Sequence, residues 1–207
     1  MDKLRFESSL WQQGLTHVAG VDEAGRGPLA GPVVAAAVVF SPAFFLAGVD
    51  DSKKLSHERR EQLYPQIITN CRSYGVGIVA VEEIDRINIY QAAMLAMRQA
   101  LAQLSPPAQH VLVDGRNIPQ LELPQTSIIK GDGLSFTIGA ASIIAKVTRD
   151  HLMLDYHHAF PAYGFDRHKG YATRSHLAAL RQHGPCAIHR RSFRPRALRE
   201  VEEATIK

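Results

Sequence analysis

Four acidic residues stand at or just after predicted strand ends, and they carry the strongest chemical signal in the sequence: Asp22, Glu23, Asp114 and Asp132. The carboxyl ends of strands are where open α/β sheets bind ligands. Carboxylates that meet there repel one another unless cations lie between them or protons are taken up. Hard oxygen ligands of this kind suit Mg²⁺ or Mn²⁺. The pattern therefore predicts a divalent-metal site.

The alternatives differ from one acidic residue to the next. Asp114 and Asp132 each precede a glycine, and Asp beside Gly is also ordinary turn chemistry. Asp22 and Glu23 instead follow the apolar residues 18–21 directly, where an acidic pair packs poorly, so a functional role is favoured for them. Zinc is disfavoured, because the chain has only two cysteines, without CxxC spacing, and no HExxH motif.

A glycine-rich loop follows the acidic pair, with the sequence Gly25-Arg26-Gly27-Pro28 and then Gly31-Pro32. Glycines let a backbone approach a ligand closely and present its N–H groups to it. The spacing matches neither GxGxxG nor GxxxxGK[ST], which excludes dinucleotide-binding and P-loop motifs. Beside an acidic pair that could hold metal, the loop indicates contact with a phosphate.

Five strands and four helices are predicted to position these residues. The strands cover residues 17–22, 33–40, 74–81, 111–113 and 126–130, and the helices cover residues 56–70, 88–104, 134–160 and 173–183. With 45% hydrophobic and 21% charged residues over 207 positions, the composition is that of an ordinary globular protein. The order predicts one α/β domain over residues 1–207, with a core at about 15–160 and a helical, basic C-terminal segment at about 161–207.

Positive charge is concentrated in the C-terminal quarter. Residues 146–199 contain eleven Lys and Arg against three Asp, a net charge of +8 in a chain whose total is +4. Aromatic residues lie among these charges, including Tyr163, Phe165, Tyr171 and Phe193. Basic residues interleaved with aromatic ones favour contact with a nucleic-acid backbone. A solvated helical face is the alternative.

No segment predicts export or membrane insertion. The N-terminal residues lack the apolar run and cleavage site of a signal peptide. The longest apolar stretch, residues 32–40, is far shorter than the roughly 20 residues that cross a bilayer. We therefore expect a cytoplasmic protein, and a monomer, because no extra apolar helix requires a partner.

Seven motifs occur in order along residues 17–193. The first is Gly20-Val21-Asp22-Glu23-Ala24-Gly25-Arg26-Gly27-Pro28-Leu29-Ala30-Gly31-Pro32-Val33. The next three are Asp51-Ser52-Lys53-Lys54-Leu55, Val113-Asp114-Gly115 and Lys130-Gly131-Asp132. The last three are Ala140-Ala141-Ser142-Ile143-Ile144-Ala145-Lys146-Val147-Thr148-Arg149-Asp150, Gly164-Phe165 with His168-Lys169-Gly170-Tyr171-Ala172-Thr173, and His189-Arg190-Arg191-Ser192-Phe193. Together they resemble the motifs of type 2 ribonucleases H, and of bacterial ribonuclease HII in particular. Two departures, at Gly139 and Arg194-Pro195-Arg196, touch no acidic residue.

The resemblance implies an RNase H-like fold, with a central mixed five-stranded sheet flanked by helices and a helical C-terminal extension. It also implies an endonuclease that cuts RNA within RNA–DNA hybrids and on the 5′ side of single ribonucleotides in duplex DNA. The products would carry 3′-hydroxyl and 5′-phosphate ends. The catalytic and metal-binding quartet would be Asp22, Glu23, Asp114 and Asp132, with Mg²⁺ or Mn²⁺ as cofactor.

The same resemblance assigns substrate contacts. The backbone of Gly25, Arg26 and Gly27 would contact the 2′-hydroxyl, the group that distinguishes RNA from DNA. Tyr171 would stack on the sugar at the ribonucleotide–deoxyribonucleotide junction, with a half-buried structural aromatic as the alternative. Three lysines are candidates for phosphate or active-site contact, with plain surface residues as the alternative: Lys53, Lys54 and Lys146.

Two divalent ions about 3.5–4 Å apart would serve phosphodiester hydrolysis, one activating the water and the other stabilising the leaving oxygen. Four carboxylates carry a charge of about −4, which two Mg²⁺ ions neutralise. We expect Asp22 and Asp114 as shared or primary ligands, with Glu23 and Asp132 completing the two sites.

Two other functions compete with this one. A different nuclease of the same fold, such as a DNA-cutting resolvase, would share the acidic residues but gives no reason for the Gly-Arg-Gly and Gly-Tyr motifs. A non-catalytic binding module would use the basic C-terminus alone, and four acids would weaken its affinity for a polyanion. RNA–DNA hybrids and ribonucleotide-containing duplex DNA are therefore the expected partners, and a sliding clamp remains a candidate protein partner.

Overall fold

The computed structural model describes residues 2–193, and a mixed five-stranded sheet lies at its centre. The strands are β1 (Val18–Ala24), β2 (Val33–Val39), β3 (Ser73–Val79), β4 (His110–Asp114) and β5 (Gln125–Ile128), in the spatial order β3-β2-β1-β4-β5. β2 pairs antiparallel with β1 and β3, whereas β4 pairs parallel with β1 and β5. The predicted mixed sheet of five strands is confirmed.

Helices cover both faces of the sheet. They are α1 (Arg5–Trp11), α2 (His57–Asn70), α3 (Val81–Ala102), α4 (Gly131–Leu134), α5 (Phe136–Ala159), α6 (Phe165–His168) and α7 (Arg174–His183), with a 3₁₀ turn at Pro161–Tyr163. α3 packs on one face, and α5 with α2 packs on the other. No helix within residues 2–193 is long and apolar enough to cross a membrane.

β2 is buried on both faces because each face of the sheet carries its own core. Side chains alternate between faces along a strand. Ala35 and Ala37 accordingly join the core under α3, while Ala36 and Val38 join the core under α5. The continuous apolar sequence of β2 is therefore typical of a strand covered on both sides.

α5 passes very close to β1. A Cβ atom on Gly20 would lie 2.2 Å from the carbonyl carbon of Thr137 in α5, so only glycine permits this approach. Gly75 and Gly77 of β3 play the same part against α3, where added Cβ atoms would lie 2.2 Å and 2.0 Å from the carbonyl oxygens of Ala100 and Ala96. The helices thus rest directly on the sheet that carries the acidic residues.

Hydroxyl side chains cap the starts of two helices. The Arg59 N–H donates to the hydroxyl of Ser56 at 3.2 Å, immediately before α2. The His176 N–H donates to the hydroxyl of Thr173 at 3.3 Å, immediately before α7. Each hydroxyl satisfies one of the N–H groups that a first helical turn leaves without an intrahelical acceptor.

The structure also differs from the predicted elements. α1 was not predicted, and α3 begins at Val81 rather than at residue 88. Asn88 adopts φ 68° and its side chain accepts the N–H groups of Tyr90 and Gln91, so it kinks α3 and caps the second part of it. β1 continues past the predicted end at residue 22 to Ala24, which places the acidic pair inside the strand.

The segment that follows α5 packs against the glycine-rich loop after β1. Leu29 and Ala30 share a small apolar core with Phe165, Leu180 and other residues of the C-terminal segment. Ala30 also forms an isolated antiparallel bridge with His189. The C-terminal segment therefore packs on the glycine-rich loop beside the acidic residues. The division of the single domain into a core and a basic segment stays a prediction, and residues 194–207 lie outside the described residues.

Candidate active site

Three of the four predicted acids meet in one cluster. Carboxylate oxygens of Asp22, Asp114 and Asp132 all lie within 4.8 Å of one another. Asp22 belongs to β1, Asp114 ends the neighbouring parallel strand β4, and Asp132 lies in α4, which follows β5. Backbone amides orient all three of these carboxylates: Glu23 N–H donates to Asp22 at 2.7 Å, Gly131 N–H to Asp114 at 2.6 Å, and Gly133 N–H to Asp132 at 2.9 Å.

The fourth acid, Glu23, lines the same cavity as Asp22 and Asp114, but it does not join the cluster of three. Its carboxylate accepts a hydrogen bond from Arg26 at 3.2 Å. Glu23 is next to Asp22 in β1, and its charge raises the pKa of that carboxyl. Glu23 therefore flanks the cluster rather than sharing its centre.

The cluster holds more negative charge than its surroundings neutralise. Burial, and then the charges of Glu23 and Asp114, raise the pKa of Asp22 well above its usual value. Burial, and then Asp132, raise the pKa of Asp114. Burial also raises the pKa of Glu23, although Arg26 opposes this shift. Bound cations would remove the repulsion, which is the arrangement expected of a metal site.

The three candidate lysines occupy different surroundings. Lys53 Nζ lies 3.3 Å from Asp132 Oδ2, and the charges of Asp22 and Asp132 outweigh its burial and raise its pKa. Lys146 lines the cavity and donates to Asp150 at 2.7 Å, while burial lowers its pKa. Lys54 is absent from the lining residues, and its Nζ lies 3.9 Å from Asp50.

The predicted loop and aromatic residue line the same cavity. Gly25, Arg26, Gly27 and Tyr171 line the cavity of about 370 Å³ that also contains Asp22 and Asp114. Tyr171 is 45% exposed, and a Cβ atom on Gly27 would lie 3.7 Å from its ring. The loop and the exposed tyrosine are thus neighbours in the lining of the cavity, close to each other at Gly27.

Part of the predicted basic surface is in fact interior. Arg149 and Arg190 are 1% and 2% exposed, and both donate to backbone carbonyl oxygens around the loop. Tyr163 and Phe165 are also buried, whereas they were expected to interleave with surface charges. Their burial follows from the packing of the C-terminal segment on the loop. Counting charge along the sequence could not separate these residues from surface residues.

Two serines hydrogen-bond to each other beside the acidic cluster. Ser142 lies in α5 and is 4% exposed. Its hydroxyl shares a 2.8 Å hydrogen bond with that of Ser52, which lines the cavity. Ser142 also lies close enough to Asp22 to oppose the rise in the pKa of that carboxyl. The motif Asp51-Ser52-Lys53-Lys54-Leu55 was the sequence signal for the contact between Ser52 and Ser142.

The fold and the clustered carboxylates together define a nuclease of the RNase H-like class. Comparison with known proteins resolves the class further. The sequence model described as ribonuclease HII matches residues 19–195. The chain therefore belongs to the ribonuclease HII family, a family of endoribonucleases that cleave RNA in RNA–DNA hybrids.

Curated relatives are similar over nearly the whole chain. Ribonuclease HII of Myxococcus xanthus is 56% identical over 93% of this chain and 66% of its own length. Ribonuclease HII of Syntrophotalea carbinolica is 52% identical over 92% of this chain and 91% of its own length. The first of these relatives is thus considerably longer than the present chain, and the second is of similar length.

Solved structures agree with the fold. The ribonuclease H2 of Pyrococcus horikoshii matches with a TM-score of 0.75 and 29% identity, over 92% of this chain and 99% of that one. The ribonuclease HII in the PCNA complex from Archaeoglobus fulgidus matches with a TM-score of 0.69 and 28% identity, over 87% of this chain and 96% of that one. The predicted RNase H-like architecture is confirmed.

Proposed function

We propose that this chain cuts the RNA strand of RNA–DNA hybrids and cuts duplex DNA on the 5′ side of single ribonucleotides, leaving 3′-hydroxyl and 5′-phosphate ends. One observation carries the proposal. Three carboxylates whose oxygens lie within 4.8 Å of one another adjoin a cavity that the Gly25-Arg26-Gly27 loop and Tyr171 enclose. A site for hydrolysis thus lies next to a backbone that can contact a sugar.

The carboxylates fit divalent cations in number, chemistry and charge. Asp22 is 2% exposed, and its Oδ2 atom has no hydrogen-bond partner within residues 2–193. A buried carboxylate oxygen of this kind is a ready ligand for Mg²⁺ or Mn²⁺. Two such ions, when bound, supply an activated water and neutralise charge on the leaving oxygen. We assign Asp22 and Asp114 as primary ligands, with Glu23 and Asp132 completing the two sites.

The other cavity residues would hold the substrate. Backbone N–H groups of the Gly25-Arg26-Gly27 loop would contact the ribose 2′-hydroxyl, and Tyr171 would stack on the neighbouring sugar. Lys53 and Lys146, which also line the cavity, would contact phosphates. Lys54 lies outside the cavity lining and pairs with Asp50, so it is given no phosphate contact in this proposal.

Three further proposals accompany the activity. The chain would act as a monomeric single domain in the cytoplasm, with ribonucleotide-containing nucleic acid as its substrate. The Archaeoglobus protein is described in a complex with PCNA, so a sliding clamp is a proposed protein partner here as well. Sedimentation of the chain alone and with a clamp would test both the oligomeric state and this partner.

Cleavage of a duplex DNA that carries one ribonucleotide, beside an all-DNA duplex and an RNA–DNA hybrid, tests the proposed activity. Each substrate is incubated with Mg²⁺, with Mn²⁺ and with chelator, using the parent chain, Asp114→Asn and Asp155→Asn. Asp155 is exposed near the end of α5 and serves as a matched control. We expect one metal-dependent cut on the 5′ side of the ribonucleotide, lost with Asp114→Asn and retained with Asp155→Asn.

Two outcomes would reject the proposal. Equal cutting of the all-DNA and ribonucleotide-containing duplexes would indicate a DNA nuclease. Binding to hybrids without cleavage in either metal would indicate a non-catalytic nucleic-acid-binding module. Mapping the ends of the products distinguishes a cut on the 5′ side of the ribonucleotide from one on its 3′ side.

A further inference from the structure

Arg190 lies inside the curve of the glycine-rich loop and binds it through carbonyl oxygens alone. The Nε, Nη1 and Nη2 groups donate at 2.6–3.2 Å to the carbonyl oxygens of Gly25, Arg26, Pro28, Gly31 and Pro32. Within residues 2–193 its guanidinium forms no ion pair with a carboxylate. The ring of Phe193 covers it, with the ring centroid 4.9 Å from Cζ.

This contact sets the direction of two backbone N–H groups. In a trans peptide the carbonyl oxygen and the following N–H point to opposite sides. Because Arg190 holds the carbonyl oxygens of Gly25 and Arg26, the N–H groups of Arg26 and Gly27 point away from it. Neither N–H donates a hydrogen bond within residues 2–193. Both residues line the acidic cavity, so two free donors remain for a ligand there.

Arg149 connects the same loop to the segment that carries Tyr171. It donates at 3.0 Å to Pro32 and Ala30 in the loop, and at 3.0 Å to Lys169 on the other side. The Leu29 N–H also donates to Gly170 at 2.8 Å. The spacing between the loop and Tyr171 is therefore fixed from behind by a buried arginine.

Arginine chemistry suits this arrangement and lysine chemistry does not. A guanidinium offers five N–H donors in a rigid plane, whereas an ammonium offers three donors from one point. The arrangement is also unfavourable in electrostatic terms, because burial and then the charge of Arg149 lower the pKa of Arg190 to about 9. Apolar packing would fill this space without burying two cations. What a guanidinium provides here, and apolar packing would not, is the set of hydrogen bonds to the carbonyl oxygens of the loop.

We propose that Arg190, supported by Arg149, is a positioning residue for ribose recognition, which holds the carbonyl oxygens of the loop so that the Arg26 and Gly27 amides face the 2′-hydroxyl. This inference rests on the proposed function, because a ribose must enter the cavity for the amides to matter. It adds a residue from the far C-terminal segment to the recognition of RNA.

Binding to two matched duplexes tests the role of Arg190. The duplexes differ only in one ribonucleotide, and affinities are measured in chelator at one salt concentration for the parent, Arg190→Lys, Arg190→Gln and Arg98→Gln. Arg98 also donates to a carbonyl oxygen, that of Pro119, but on α3 away from the cavity. We expect the parent and Arg98→Gln to prefer the ribonucleotide duplex, and both Arg190 variants to lose about tenfold of that preference.

Affinity for the all-DNA duplex separates positioning from unfolding. Contacts to the phosphate backbone dominate non-specific binding, so both Arg190 variants should bind all-DNA duplex as the parent does if they are folded. A folded Arg190→Lys or Arg190→Gln that keeps the parent's preference overturns the inference. If the parent itself neither prefers nor cuts the ribonucleotide duplex, the proposed function fails instead.

Hydrogen exchange on the parent decides the matter even if both variants fail to fold. The N–H groups of Arg26 and Gly27 should exchange more slowly with the ribonucleotide duplex than with the all-DNA duplex, by about tenfold. Equal protection by the two duplexes would contradict the inference, because the amides would then not contact the 2′-hydroxyl.

Discussion

Asp22 is unfavourable for the stability of the fold, and it is also the strongest candidate for a chemical role. Its side chain is buried in β1, one oxygen has no hydrogen-bond partner within residues 2–193, and Glu23 and Asp114 add like charges nearby. A buried group without compensation lowers stability. Asp22 is therefore expected to reduce the stability of the metal-free protein, while its carboxylate remains available to bind a metal ion.

Replacing Asp22 by Asn should stabilise the protein in chelator at neutral pH. The fold raises the pKa of Asp22 above 3.8, so its stabilising contribution is present below that pH and is lost as the pH rises through the folded pKa. Asn carries no charge and avoids this loss. Thermal melts between about pH 4 and pH 8 should show a melting temperature for Asp22→Asn that exceeds the parent's increasingly with pH, each kcal/mol being worth about 2–4 °C.

The same variant should lose cleavage by about a hundredfold or more, since metal ligation supplies several kcal/mol to the reaction. Asp155→Asn, on the exposed end of α5, should change neither property. A melting temperature of Asp22→Asn at or below the parent's above neutral pH would show that the carboxylate does not strain the metal-free fold.

Gly27 and Gly25 should respond differently to alanine. A Cβ on Gly27 would lie in ordinary contact at 3.7 Å from Tyr171, so Gly27→Ala should change the unfolding free energy by less than about 0.5 kcal/mol. The added methyl would nevertheless occupy the space proposed for the ribose, and cleavage should fall about tenfold. Melts and cleavage rates measured on the same preparation check both expectations.

Gly25→Ala is the matched variant for this comparison. Gly25 has φ +100° and its added Cβ would lie 2.3 Å from Arg149 Nε, so both the backbone and the buried arginine oppose the change. We expect a loss of at least about 1–2 kcal/mol of stability. Equal stability losses in the two variants would mean that the loop is uniformly tight and that Gly27 faces no open space.

At the scale of elements, periodicity in the sequence predicted most of the architecture. All five strands and the long helices α2, α3, α5 and α7 occur near their predicted positions. The kink at Asn88 was missed because a non-glycine residue at φ 68° depends on the local hydrogen bonds of its side chain. α1 was missed because it is short and turns a charged residue, Glu7, into the interior.

Glu7 should be the residue through which α1 stabilises α5. Its carboxylate accepts hydrogen bonds from the Ser135 hydroxyl at 2.6 Å and from the Thr137 N–H and hydroxyl at 3.0 Å and 2.8 Å. These groups form the N-terminal turn of α5, where a negative charge is favourable. Glu7→Ala should therefore lower the unfolding free energy by about 2–3 kcal/mol.

Urea denaturation with Glu58→Gln as the control measures this effect. Glu58 lies in the first turn of α2 but is exposed, so its replacement should change stability by less than about 0.5 kcal/mol. If Glu7→Ala were as stable as Glu58→Gln, the contacts between α1 and α5 would contribute nothing net to folding.

At the scale of the whole molecule, the sequence predicted the acidic half of the site better than the basic half. Acids at strand ends follow from strand order alone, and the structure brings Asp22, Asp114 and Asp132 together. Arg149 and Arg190 are interior because backbone carbonyl oxygens, which leave no mark in a sequence, supply their partners. The recognition half of the site is therefore a product of how the C-terminal segment packs on the loop.

A relay of neutral histidines holds that segment together. The Cys186 N–H donates to His189 Nδ1 at 2.9 Å, which leaves the proton of His189 on Nε2. That group can donate to His176 Nε2 at 3.0 Å, and His176 Nδ1 then donates to the carbonyl oxygen of Tyr171 at 2.9 Å. The relay requires both rings to be uncharged. It joins His189, beside the buried Arg190, to the backbone of the residue proposed to stack on the sugar.

Acidification below pH 6.5 should therefore destabilise the C-terminal segment. Burial, and then His176, lower the pKa of His189 to about 4 from 6.5, so the unfolded chain binds a proton that the folded chain does not. Stability from this residue is present above pH 6.5 and is lost as the pH falls towards about 4.

Thermal melts over this range of pH should show a shallower decline in melting temperature for His189→Gln than for the parent, while His158→Gln, at an exposed position, should follow the parent. Taking the difference between variant and parent cancels the titration of the acidic cluster, which they share. A difference that does not vary with pH would mean that His189 titrates alike in the folded and unfolded chains, and that the relay does not depend on its neutrality.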